Sequence, residues 1–147
     1  MFRKLLVAVD GSDESLAAVA QAGKLAETLG AELTLCHVVP PAPVFVDAAA
    51  LTLVEFDRRA DEESARILAE AARALPPGVL AGRRVLHGQP ALAIVDESRE
   101  GGYDLLVVGS HGRTGIRRFL MGSVASQVVS HARIPVLVYR TPDSQGV

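Results

Sequence analysis

The sequence has no tryptophan, only 4% aromatic residues, a single cysteine and almost no imbalance of charge. Each scarcity removes a class of function. With so few rings there is no platform on which the bases of a single-stranded nucleic acid could stack. A net charge of −2 and a pI near 6.1 give no overall attraction to a polyanion. Duplex nucleic acid is therefore a poor partner, although a local basic cluster could still take one phosphate group. Cys36 has no second thiol to pair with, and Phe2-Arg3-Lys4 runs straight into a short apolar stretch with no secretory pattern. Both observations point to a reducing cytosol and a cytoplasmic protein. No apolar run approaches the roughly 20 residues that a membrane-spanning helix needs. The longest are strand-sized, such as Leu5 to Val9.

What is present is aliphatic. Hydrophobic residues make up 49% of the 147 positions, enough for one compact core without disulfides or a structural metal. The chain reads as one domain over residues 1–147, with no linker or internal repeat and a loose tail over 141–147.

Leu5-Leu6-Val7-Ala8-Val9 is the continuous apolar run of a strand buried on both faces, ending at Asp10-Gly11. Ser12 can cap the helix that follows, Asp13 and Glu14 suit the positive end of its dipole, and Gly30 supplies the stop. Leu33 to Val39 forms a second strand, closed by Pro40-Pro41-Ala42-Pro43. The period from about Ala50 to Leu75 is helical, with Pro76-Pro77-Gly78 after it. Arg83 to His87 is a weaker strand, and Pro90 stands at the first turn of the next helix. Asp104 to Gly109 repeats the buried-strand pattern, Ser123 to Ala132 reads as a helix, and Pro135 to Tyr139 as a last strand.

Five strands alternating with four helices predict parallel pairing through right-handed crossovers, hence an α/β open, doubly wound sheet with helices on both faces. Ligands of such sheets sit outside the carboxyl ends of the strands, where the winding reverses. Asp10 and Gly109 both lie at strand carboxyl ends. Spacing does not reveal strand order, but an order with strands one and four adjacent would bring these two positions together.

The segment from Gly109 to Ser123 carries the chemistry. It follows a buried strand and feeds a helix, the setting that a phosphate-binding loop requires. Glycine permits positive φ and lets the backbone approach an anion with no Cβ in the way, so Gly109 and Gly112 could cradle a ribose or phosphates. At Gly122 and Ser123 the amides of a helix start, the hydroxyl and the positive dipole end would meet a phosphate. Arg113, Arg117 and Arg118 add countercharge. The segment is not a Walker A loop, because Gly-Lys-Ser/Thr is missing, and its glycines are too widely spaced for the dinucleotide fingerprint. The plainer alternative is a flexible surface loop.

The pattern Gly109-x2-Gly112-x9-Gly122-Ser123 resembles the ATP-binding signature of the universal stress protein family. The flanking stretches Tyr103-Asp104-Leu-Leu-Val-Val-Gly-Ser-His-Gly-Arg-Thr-Gly, Met-Gly-Ser-Val-Ala and His131-Ala-Arg-Ile-Pro-Val-Leu-Val are similar too, as are Lys4-Leu-Leu-Val-Ala-Val-Asp-Gly-Ser and Leu35-Cys-His-Val-Val. The resemblance spans residues 2 to 140 and is weakest from about 40 to 90. It implies a Rossmann-like sheet of order 3-2-1-4-5 that binds ATP, with Mg2+ as a candidate companion. Asp10 would then bond the adenosine end, and the backbone near Ala8 and Val38 would line the adenine pocket. Gly109, Gly112, Arg113, Gly122, Ser123 and Val124 would hold ribose and phosphates, and His111, within the same segment, is a further candidate contact to the ligand. Ala8 departs from the family, in which proline is common there. The family also implies a homodimer through the last strand, Val136, Leu137, Val138 and Tyr139, and an exposed apolar edge strand suggests the same.

Other readings are plainer. Asp10-Gly11 is also a common turn pair. Cys36 and His37, on a strand, suit a buried thiol and a satisfied imidazole. The histidines lack metal-ligand spacing. Function then divides between a nucleotide-dependent stress-response binding module and a slow ATPase or phosphotransferase using the same pocket. The module is favoured, because the loop offers arginines and hydroxyls but no carboxylate or lysine to act on the γ-phosphate.

Overall fold

The computed structural model describes residues 1–42, 53–111 and 121–142. Its elements run β1 (Lys4–Ala8), α1 (Asp13–Leu29), β2 (Glu32–Val39), α2 (Leu53–Arg73), β3 (Gly82–His87), α3 (Pro90–Glu100), β4 (Leu105–Gly109), α4 (Ser123–His131) and β5 (Val136–Tyr139). All four strand pairings are parallel and the order is β3-β2-β1-β4-β5, as expected. The central strand β1 has β2 on one side, with Leu5 opposite Leu33, and β4 on the other, with Leu5 opposite Leu105.

Alternation along the central strands divides the core in two. Leu5 and Val7 of β1, with Leu105 and Val107 of β4, face Val19, Ala22 and Ala26 of α1 and Ile67, Leu68 and Ala71 of α2. Leu6, Leu106 and Val108 face the other way, against Ala91 and Ile94 of α3 and Ala125 and Val128 of α4. Leu5, Leu6, Val7, Leu106 and Val107 are wholly buried, and each fully buried aliphatic side chain of this size contributes about 1.5–3 kcal/mol. Helices cover both faces, which is why β1 and β4 read as unbroken apolar runs rather than alternating ones.

Local chemistry sets the helix ends. Ser12 accepts the Ser15 amide at 3.1 Å and caps α1. Gly30, at φ 64°, ends it with the Ala31 amide on the Ala26 carbonyl and its own amide on Glu27, the paired bonds of a Schellman stop. Pro90 opens α3, where a missing N–H costs nothing, and Gln89 caps the Leu92 amide at 3.0 Å. Asp104 takes the amides of Arg3 and Lys4 and ties the start of β1 to that of β4. Lys4 Nζ reaches the Gly101 carbonyl and lies over the Tyr103 ring.

Cys36 is wholly buried. Burial, reinforced by the Glu97 carboxylate and only partly offset by Arg84, pushes its thiol up to about 12. His37 Nδ1 lies 2.8 Å from the hydroxyl of fully buried Ser64, a polar link between β2 and α2. Both residues thus have the structural roles expected of them.

Candidate functional site

The carboxyl ends of β1 and β4 are adjacent, so Asp10 and Gly109 stand at the same end of neighbouring strands. Ala8 ends β1, paired with Cys36, and Val38 lies near the end of β2. Both are half-buried and pack on the cluster shared with α3 and α4. Asp10 closes a tight turn: its Oδ1 accepts the Ser12 amide at 2.9 Å, while Gly11 takes φ 85°. This is the Asp-Gly turn allowed for in the sequence, set at the carboxyl end of β1.

The segment after β4 returns to the same end. Ser110 donates its N–H to the Tyr139 carbonyl at 2.8 Å and accepts the Gly122 amide on its own carbonyl at 2.6 Å. Helix α4 therefore starts one hydrogen bond away from the end of β4. Gly122 is its N-cap, and no side chain among the described residues caps this terminus. Ser123 and Val124, the first helical residues, are exposed, and the amides of this first turn lie at the positive end of the helix dipole.

Gly109 corrects one expectation: paired with Tyr139 as the last residue of β4, it is extended and does not adopt positive φ. Gly122, at φ −61°, opens the last helix as expected. At Gly109 an added Cβ would meet Glu14 Cγ and the His111 carbonyl at 3.5 Å, an ordinary contact. Gly109 therefore leaves room at the end of β4 rather than making a left-handed turn. The expected positions Gly112 and Arg113 lie outside the described residues, as do Arg117 and Arg118.

Sequence reasoning missed Glu14. Read there only as a complement to the α1 dipole, its carboxylate accepts the Ser110 hydroxyl and, at 2.9 Å, the His111 amide on Oε1. Oε2 takes the Thr141 hydroxyl at 3.3 Å and lies 3.7 Å from His111 Nδ1. Burial pushes the Glu14 carboxyl up, but the Ser110 hydroxyl, the His111 and Ser110 amides and the His111 ring outweigh it and hold the group below its ordinary range. Thr141, expected in a loose tail, is tied down by this contact. His111 turns inward: its Nδ1 is 3.0 Å from Ser110 Oγ, and its buried Nε2 has no hydrogen-bond partner among the described residues. The sequence signal for Glu14 was its place in the first turn of α1, where the dipole already accounts for a carboxylate.

Comparison with known proteins agrees with this architecture. The model of the universal stress protein family matches residues 1–140. The chain is 36% identical to the universal stress protein YxiE of Bacillus subtilis (strain 168), over 95% of this chain and all of that one. It superposes on the solved structure of the protein MJ0577 with a TM-score of 0.83 at 25% identity, covering 98% and 99% of the two chains. A universal stress protein solved in complex with cAMP is 30% identical, with a TM-score of 0.68 and 96% and 99% coverage. On its sequence and its fold alike, the chain belongs to the universal stress protein family.

Proposed function

We propose that the crevice at the carboxyl ends of β1 and β4 binds an adenine nucleotide, ATP for preference, and that the protein is a nucleotide-dependent module of a stress response. The observation that carries this reading is the start of α4, which no side chain caps among the described residues and which the 2.6 Å bond from Gly122 to Ser110 anchors to the end of β4. An anion placed there would meet free amides and a dipole worth about 0.3–1 kcal/mol per charge, more when partly buried. Ala8, Asp10 and Val38 at the neighbouring strand ends suit the adenosine part, and the relative solved with cAMP supports adenine as the base. Gly109, His111, Gly112, Arg113, Gly122, Ser123 and Val124 complete the proposed set, with Mg2+ as a companion of the phosphates.

Binding rather than hydrolysis is favoured by the state of Glu14. This carboxylate is engaged by three donors and holds its proton weakly, which suits a structural acceptor and not a general base. A homodimer through β5 belongs to the same reading. The strand pairs only with β4 among the described residues, and Leu137 is 38% exposed on it.

The test is the nucleotide content of freshly purified protein, released by heat and identified by mass, beside Gly122→Val. The backbone at Gly122 has φ −61°, which valine accepts, so a lost ligand would report crowding at the phosphates. ATP carried by the native protein and absent from the variant supports the reading. Protein that carries no nucleotide and gains no thermal stability from added ATP refutes it. Phosphate release at a substantial rate would instead establish the ATPase.

A further inference from the structure

Glu14 is not among the residues proposed to touch the nucleotide, yet it joins three parts of the fold. From the first turn of α1, Oε1 takes the hydroxyl of Ser110 and the amide of His111, both just beyond β4, while Oε2 takes the hydroxyl of Thr141, just beyond β5. Ser110 is wholly buried. It passes the connection on, because its carbonyl receives the Gly122 amide that begins α4. A continuous path of hydrogen bonds thus runs from the start of α1, through Ser110, to the start of α4. A hydroxyl or an amide carbonyl offers a single acceptor oxygen with two lone pairs; a carboxylate, with two oxygens and about four acceptor positions, can hold two strand ends at once. It does so with charge-assisted bonds, roughly twice as strong as neutral ones.

We infer that Glu14 is the positioning residue of the site: it fixes Ser110 and, through Ser110, the place at which the opening amides of α4 are presented. This rests on the nucleotide reading above. Glu14 acts without touching the ligand.

The experiment titrates ATP and cyclic AMP by calorimetry into the native protein, Glu14→Gln and Glu14→Ala, below the melting temperature of each. Exchange of the His111 amide is followed by NMR in the nucleotide-free proteins. The alanine variant is expected to bind at least about tenfold more weakly and to exchange the His111 amide faster, having lost bonds to a charged acceptor. The glutamine variant keeps a carbonyl for both Oε1 contacts and should stay within about threefold of native affinity. A purely structural role would lower the melting temperature and leave the affinity of folded alanine variant unchanged, which overturns the inference while the nucleotide reading stands. Native protein that binds neither nucleotide overturns both. Should Glu14→Ala fail to fold, Ser110→Ala takes its place: affinity weakened about threefold or more supports the positioning role, and unchanged affinity refutes it.

Discussion

Replacing Gly23 with alanine sets two known effects against each other at one atom. Gly23 is a buried residue of α1, and glycine within a helix costs about 1 kcal/mol relative to alanine, so propensity alone predicts a gain. Packing predicts a loss. A Cβ at this position would stand 2.5 Å from Pro76 Cδ and 3.0 Å from Leu75 Cδ2, where the chain leaves α2 and turns toward β3. The Pro76 ring cannot rotate away as the end of a long side chain could, so α1 or the Leu75-Pro76 segment must shift. Overpacking of this kind costs about 1–3 kcal/mol, and the closeness of the contact with a stiff ring places it in the upper part of that range. The balance is a destabilisation of about 1–2 kcal/mol, or a fall in Tm of roughly 2–8 °C for a chain of this length. Thermal and urea melts of both proteins measure it, with an unchanged urea slope to confirm that the unfolded state is comparable. Gly109→Ala is the matched control. Its Cβ would meet nothing closer than 3.5 Å, and relief of glycine's strand penalty should leave Tm unchanged or raise it by up to about 4 °C. A Gly23→Ala protein as stable as the native one would refute the close packing of α1 on Leu75 and Pro76.

Two further outcomes are expected. Because the Glu14 carboxyl is held below its ordinary range in the folded state, its contribution is present above the unfolded Glu value and is lost as pH falls through the folded one. Urea melts between about pH 5 and pH 3 should therefore fall more steeply for native protein than for Glu14→Gln, and parallel curves would contradict the assignment. Cys36, buried with its thiol pushed up to about 12, should resist a disulfide reagent at pH 8 in the native state and react promptly in denaturant; prompt native reaction would show that the α3 and α4 face opens readily.

Much of the fold was legible because the signals are local. Ser12 and Gly30 delimit α1 through bonds that span a few residues, and apolar runs such as Leu5 to Val9 identify strands covered on both faces. The order of those strands was not readable from spacing; it came from resemblance, and the adjacency of Asp10 and Gly109 followed from it. Glu14 was missed for the same physical reason in sharper form. Its partner Ser110 is 96 residues away, and a carboxylate in the first turn of a helix already has a sufficient local explanation in the dipole. The glycines misled in a different way. Positive φ is the commonest reason for glycine before a loop, but strand pairing keeps Gly109 extended, and only the three-dimensional neighbourhood shows that room, not backbone freedom, is what the position offers.

The long reach between β1 and β4 also governs how the molecule comes to be. β1 and β2 are separated by one helix and can pair soon after both exist, whereas Lys4 meets Asp104 across 100 residues. The entropy of closing a loop grows only slowly with its length, but contacts so distant in sequence slow folding and come late. During synthesis β1 waits with one apolar edge, Leu5-Leu6-Val7, open to wrong partners until β4 emerges and docks. The paired carboxyl ends of these two strands do not exist before that event, so a nucleotide held there, as proposed, would be bound by finished molecules alone and would protect the late-made seam from reopening.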